Sequence, residues 1–171
     1  GYKESDIKKI KRNSKKMERK INIFDTDIWE VAFKKDPENP CFLCAKMRRG
    51  ILYKKAEERG CNKLALGHHL DDIVETSLMN MFYSGTIKTM LPKVKSSSGK
   101  FDLIRPLSYV KEEDIISYMG EQDFELLGCG CKLEKKKVSS KRKRIKDLLS
   151  ELEKETPDIK ASIFASLVGG E

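Results

Sequence analysis

The segment that most restricts the fold runs from Lys63 to Asp72. A short apolar run, Lys63-Leu64-Ala65-Leu66-Gly67, ends in His68-His69-Leu70-Asp71-Asp72 and passes straight into a helix-period pattern. Apolar runs of this length, bounded by glycine, suit a buried parallel strand. Ile73, Val74, Ser77, Leu78, Met81 and Phe82 then fall on one face of a helix over 72–83, which Ser84-Gly85 stops. A strand feeding directly into a helix needs a partner strand reached by crossover. The expected fold class is therefore α/β, a doubly wound parallel sheet in a Rossmann-like three-layer α/β/α arrangement. Ligands of such sheets bind beyond the carboxyl ends of the strands, which puts His68–Asp72, and with them Asp25, on the functional edge.

The same reading extends along the chain. Residues 5–19 carry Ile7, Ile10, Ser14 and Met17 at helical spacing, and Ile21–Phe24 alternates as a strand. The stretch after Asp25 reads as a loop holding Asp36-Pro37 and Asn39-Pro40. A helix over 45–59 closes at Gly60. The polar stretch 93–100 reads as a loop, Phe101–Ile104 as a strand broken by Pro106, and 111–119 as a helix. Ile145, Leu148, Leu149 and Leu152 mark another helix, and Thr156-Pro157 opens a last short one. The expected division is an α/β domain over 1–127 and a basic helical extension over 128–171.

Charge is unevenly spread. The whole chain carries +8, yet residues 1–20 alone hold +6 and residues 132–147 hold +7, so the remainder is acidic. Basic segments on an acidic body point to an anionic partner, and nucleic acid gains affinity from each phosphate neutralised. Solvated lysine faces explain the same charge without a partner. No apolar run approaches the roughly 20 residues that cross a bilayer, and none near the start resembles a secretory signal. The expected location is cytoplasmic, with no membrane association.

Five cysteines, an odd number with two close pairs, argue against a secreted disulfide framework. Cys41-x-x-Cys44 stands at a helix start, where the dipole and free N–H groups favour thiolate. Thiolates at this spacing reach one metal, zinc or an iron–sulfur centre. Thioredoxin-like exchange and two ordinary free thiols are the alternatives. Cys129 and Cys131 can complete a ligand set, whereas Cys61, beside the apolar strand, reads as a core cysteine. Asp71-Asp72 at a strand end suits catalysis or magnesium contact, although an N-cap and first-turn acid also explain such a pair. His68 and His69 read either as participants or as strand-end structure. Arg48, Arg49 and Arg105 read either as phosphate contacts or as surface arginines.

Three segments together resemble one family: Cys41-x-x-Cys44 with Arg48-Arg49-Gly50-Ile51-Leu52, then Leu66–Thr76, then Asn80–Gly85. They are similar to the PP-loop ATPases that thiolate tRNA, the tRNA 2-thiocytidine synthetases. Ile104-Arg105-Pro106-Leu107 and Ile145–Leu149 extend the likeness over about residues 40–150. The resemblance implies an enzyme that uses ATP and Mg2+ to adenylate a cytidine in the anticodon loop, after which sulfur displaces AMP. It implies a 4Fe-4S cluster on three cysteines: Cys41, Cys44 and either Cys129 or Cys131. By the same likeness Asp72 and Arg48 match catalytic positions near the reacting nucleotide, with His68, Asp71 and Arg105 expected to line the cofactor site. The partners it implies are tRNA, a sulfur donor and a second copy of the chain. The family's Ser-Gly-Gly-x-Asp-Ser phosphate loop is missing from the sequence. The expectation is an N-terminally truncated relative that does not hydrolyse ATP by itself. A zinc-stabilised RNA-binding module without catalysis accounts for the cysteines and the charge, but not for the motif string.

Overall fold

The computed structural model describes residues 2–38, 40–127 and 140–169. Two compact units form. One gathers Gly1–Asn62 with the segment that begins at Asp123; the other gathers Lys63–Gln122 with the C-terminal helices.

In the first unit, α1 (Glu4–Lys16) has acids in its first turn and lysines in its last, as the helix dipole favours. Its amphipathic side is shallow. Ile7 and Ile10 are half-buried, and Met17, expected on the inner face, is exposed. The helix is held instead by polar ties to one short segment. Asn13 bonds the backbone of Glu125 in both directions, at 2.9 and 3.2 Å, and Arg12 pairs with the Glu125 carboxylate at 2.7 Å. The expected strand at 21–24 does not form: these residues make no ladder and are exposed. Phe24 lies instead under the cations of Lys55 and Arg59, each 5.2 Å from the ring.

The expected loop after Asp25 contains α2 (Ile28–Lys35). Ile28 and Ala32, one turn apart, are its buried pair, and it lies against α3 (Pro40–Glu58). Proline at the first position of α3 loses no hydrogen bond, so the helix begins ahead of the cysteines. It ends at Gly60, whose φ of +61° is left-handed. Cys61 follows and is exposed, not the core cysteine its neighbours suggested. The turn at Gly60 carries it past the helix before the strand begins.

The second unit holds a three-stranded sheet in the order β1-β3-β2. β1 (Lys63–Ala65) runs parallel to β3 (Asp102–Ile104), with Leu64 opposite Leu103. β2 (Lys93–Lys95), within the stretch expected as a loop, pairs antiparallel with β3. Its lysines hold Asp102 at 3.4 and 2.8 Å, and Gly99, at φ +71°, makes the turn between the strands. The parallel pair is as expected; the antiparallel edge is an addition. β1 lies at the sheet margin with Lys63 and Ala65 exposed, so it is less buried than its composition suggested.

α4 (Leu70–Ser84) crosses from β1 and ends at Gly85 in a left-handed cap. α5 (Glu112–Glu121) follows β3. α6 (Ser140–Glu155) and α7 (Ile159–Val168) return to α4. One core joins them: Leu70, Ile73 and Val74 from α4, Ile145 and Leu149 from α6, and Phe164 from α7. The helices after residue 140 thus share the core of the α/β unit, where sequence had suggested a separate extension. Among the described residues no helix is long and apolar enough to cross a membrane.

Candidate functional site

The first unit presents a thiol face. Cys41 and Cys44 lie in the first turn of α3 and Arg48 one turn later, a spacing that puts all three along one side. Cys41 and Arg48 are exposed and Cys44 is half-buried. The donor set suits a soft metal: two thiols at i and i+3 of one helix, both reachable from solvent. Among the described residues no group of three metal-binding side chains occurs. Cys129 and Cys131 lie outside the described residues.

The second unit presents an acidic site at the tip of β1. His69 is the N-cap of α4, and it forms a reciprocal box with Asp72. The Asp72 N–H donates to His69 Nδ1 at 3.4 Å, and the His69 N–H donates to Asp72 Oδ2 at 3.3 Å. With Nδ1 accepting, the proton of a neutral ring sits on Nε2, itself 3.3 Å from Asp72 Oδ2. His69 therefore has a structural task. Sequence could have shown it, since His-x-x-Asp has the spacing of a capping box.

Asp71 turns the other way and is buried. Its Oδ2 accepts the Glu112 N–H at 2.7 Å and its Oδ1 pairs with Lys160 at 2.7 Å. Burial opposes ionisation here, but Lys160 and the Glu112 N–H outweigh it and hold the carboxyl below the usual aspartate range. Lys160 is likewise desolvated, yet Asp71 and Glu153 (2.9 Å away) keep it charged and raise its pKa. Both oxygens of Asp71 are thus taken up in pinning α5 and α7 to the start of α4. The acid turned toward solvent is Asp72, whose side chain remains 24% exposed.

Behind Asp72 lies Glu75, buried one turn along the helix, with its pKa raised by desolvation against the pull of Arg142. Arg142 reaches from α6 to three groups on α4. It lies 3.5 Å from Asp72 Oδ1 and 3.5 Å from Glu75 Oε2, and it donates to Thr76 Oγ1 at 3.1 Å. Nearby Lys146 is held by Glu112, Lys143 by Asp147, and Lys141 stacks over Tyr83. Among the described residues of the basic run, Lys141, Arg142, Lys143 and Lys146 thus each have a partner within the protein; residues 132–139 lie outside the described residues. Sequence reasoning gave no individual role to Glu75, Arg142 or Lys160, because the partners of α4 lie far downstream and no local pattern announces them. His68 is half-buried beyond the end of β1. Arg105, just past β3, donates its guanidinium to the Leu91 carbonyl and its N–H to the Pro92 carbonyl at 2.8 Å. At least part of its donor set braces the approach to β2.

The CxxC helix and the β-strand tip bearing His-His-x-Asp-Asp both fall within the span that one known domain matches. The PP-loop domain matches residues 3–127. The chain belongs to the PP-loop domain family. Among curated relatives, the tRNA-cytidine(32) 2-sulfurtransferase of Geobacter metallireducens is 48% identical over 127 residues, 74% of this chain and 49% of that protein. The enzyme of the same name from Coxiella burnetii is 43% identical over 147 residues, 85% of this chain and 57% of the relative. This PP-loop chain therefore spans about half the length of the curated relatives it matches. In solved structures its fold is like that of the U34-tRNA thiolase NcsA from Methanococcus maripaludis, described with its 4Fe-4S cluster. The TM-score is 0.69 and the identity 23%, over 94% of this chain and 54% of that one. At that identity the likeness speaks for the fold.

Proposed function

We propose that this PP-loop chain supplies the thiol and acid portion of an ATP-dependent tRNA sulfurtransferase that converts a cytidine to 2-thiocytidine. The observation that carries the reading is the pairing of two features in one chain. An accessible Cys41/Cys44 pair opens α3, and a solvent-turned Asp72 stands at a strand tip, in a sequence 43–48% identical to enzymes named for that reaction.

In this reading the cytidine oxygen attacks the α-phosphorus of ATP and releases pyrophosphate. Sulfur then displaces AMP from the adenylated base, which turns a poor leaving group into a good one. Asp72 stands beside the reacting nucleotide, and Arg48, one turn beyond Cys44, offers its guanidinium to phosphate. Cys41 and Cys44, with Cys129 or Cys131, would hold a 4Fe-4S cluster; when bound it supplies an iron site for the transferred sulfur. His68 shares the edge with Asp72. Asp71, with both oxygens engaged, serves the frame and not the ligand. The partners on this reading are a tRNA, a sulfur donor, Mg2+ with ATP, and a second copy of the chain.

The test is product formation. The gene product carrying this sequence is purified without oxygen and incubated with unmodified tRNA, ATP, Mg2+ and sulfide, and the digested tRNA is analysed for 2-thiocytidine. The product should form and should disappear in Asp72→Asn and Arg48→Ala. Product that persists undiminished in both variants would refute the assignment.

A further inference from the structure

Arg142 makes its contacts in a pattern that a surface arginine has no reason to adopt. Among its partners are Asp72, Glu75 and Thr76, residues i, i+3 and i+4 of one helix, at 3.5, 3.5 and 3.1 Å. Those three lie on a single side of α4, so one planar guanidinium spans them. The arginine is also fixed from behind. Ile145, one turn further along α6, is 2% exposed and Leu149 is fully buried, both against Leu70, Ile73 and Val74 of α4. The anchored backbone delivers the guanidinium to the acidic face whatever solvent does. On its other side, Asp72 is held by His69. The carboxylate thus sits between an N-cap histidine and an arginine supplied from a different helix, with little freedom to rotate.

We infer that Arg142 is a positioning residue for Asp72: its guanidinium, bridging Asp72, Glu75 and Thr76, sets the aim of the Asp72 carboxylate at the tip of β1. The inference rests on the reading of Asp72 as the acid beside the reacting nucleotide. It gives α6 a role in the reaction beyond supplying positive charge for RNA. Glu75 is part of the device. Glu75 is a buried carboxylate beside the half-buried Asp72, and Arg142 lies 3.5 Å from both acids at once, whereas a lysine ammonium cannot span the three partners in one plane.

The experiment compares Arg142→Ala, Arg142→Gln, Arg142→Lys and Asp72→Asn in the thiolation assay, with kcat and KM for tRNA measured at low and moderate salt. Arg142→Ala and Arg142→Gln should lower kcat by up to about a hundred-fold, the order expected when a reacting group is misplaced. KM for tRNA and its salt dependence should stay as in the wild type. Arg142→Lys should recover part of the lost kcat. A raised KM with flattened salt dependence and unchanged kcat would show Arg142 to be a phosphate contact, and the inference would fall. Full turnover in Arg142→Gln alongside an inactive Asp72→Asn also overturns it, and leaves the reading of Asp72 intact. Turnover retained in Asp72→Asn removes that reading and the inference together. Should Arg142→Ala not fold, Arg142→Gln preserves size and a donor to Thr76. Its Asp72 side-chain carboxyl resonance, followed by NMR in this chain, should move from the wild-type position; an unmoved resonance counts against the bridge.

Discussion

Two adjacent aspartates with opposite environments show how much one peptide unit decides. Asp71 and Asp72 are identical in chemistry, yet helix geometry points one into the core between α5 and α7 and the other toward solvent. The consequence for stability is specific. Asp71 ionises below the usual range, so its contribution is complete above that range and is lost as pH falls through its lowered value. Lys160, with a raised pKa, contributes fully below the ordinary lysine range and loses that contribution only as pH rises through its own higher value. Asp71→Asn should therefore cost about 3 kcal/mol by chemical denaturation at neutral pH, the order for removing one member of a buried pair. The gap from wild type should stay flat through neutral pH and close in acid. A gap that persists below the lowered value of Asp71, where the folded-state carboxyl is itself protonated, would show the loss to be packing. The pair Asp71-Asp72 was legible in the sequence as a candidate. Which of the two faces solvent was not, because that depends on Lys160 and Glu112 far along the chain.

At the scale of elements, what could be read was whatever carries a complete local signature. The helix read over 72–83 announced itself by apolar spacing and by Gly85, and α3 by its closing Gly60, although Pro40, read as part of a loop, in fact begins it. The errors came where local pattern and tertiary contact disagree. Ile21–Phe24 alternates like a strand but finds no ladder partner among the described residues. Lys93–Lys95 is polar like a loop but forms a strand, because Asp102 opposite neutralises its lysines. The eight residues of α2 bury only Ile28 and Ala32, too short a stripe to outweigh the prolines that follow. The role of α6 was invisible for a related reason: its basic composition suggested a solvated or RNA-facing helix, while two aliphatic residues fix it to α4. Leu149→Ala should test that packing. Its side chain is fully buried in the shared core, so a cost of about 2–5 kcal/mol is expected, with hydrogen exchange accelerated in α4 as well as in α6. A loss confined to α6 would mean that the two helices do not form one cooperative core.

At the scale of the whole molecule, two units carry different chemistry. One carries thiols at the start of α3, the other an acid held between His69 and Arg142 at a strand tip. The family was legible through the likeness of its motif string, and the Lys63–Ser84 strand-to-helix passage through local pattern, since short-range patterns such as Cys-x-x-Cys and His-His-x-Asp-Asp survive without knowledge of the fold. The central claim is that Cys41 and Cys44 hold an iron–sulfur centre for sulfur transfer, and metal analysis tests it most directly. Iron, zinc and acid-labile sulfide should be measured on the gene product purified and reconstituted without oxygen, alongside Cys41→Ser, Cys44→Ser and Cys61→Ser. The account predicts about four irons and four sulfides per chain, lost in the first two variants and retained in the third. Stoichiometric zinc without sulfide, dependent on the same two cysteines, would contradict it and make the protein a zinc-stabilised module instead.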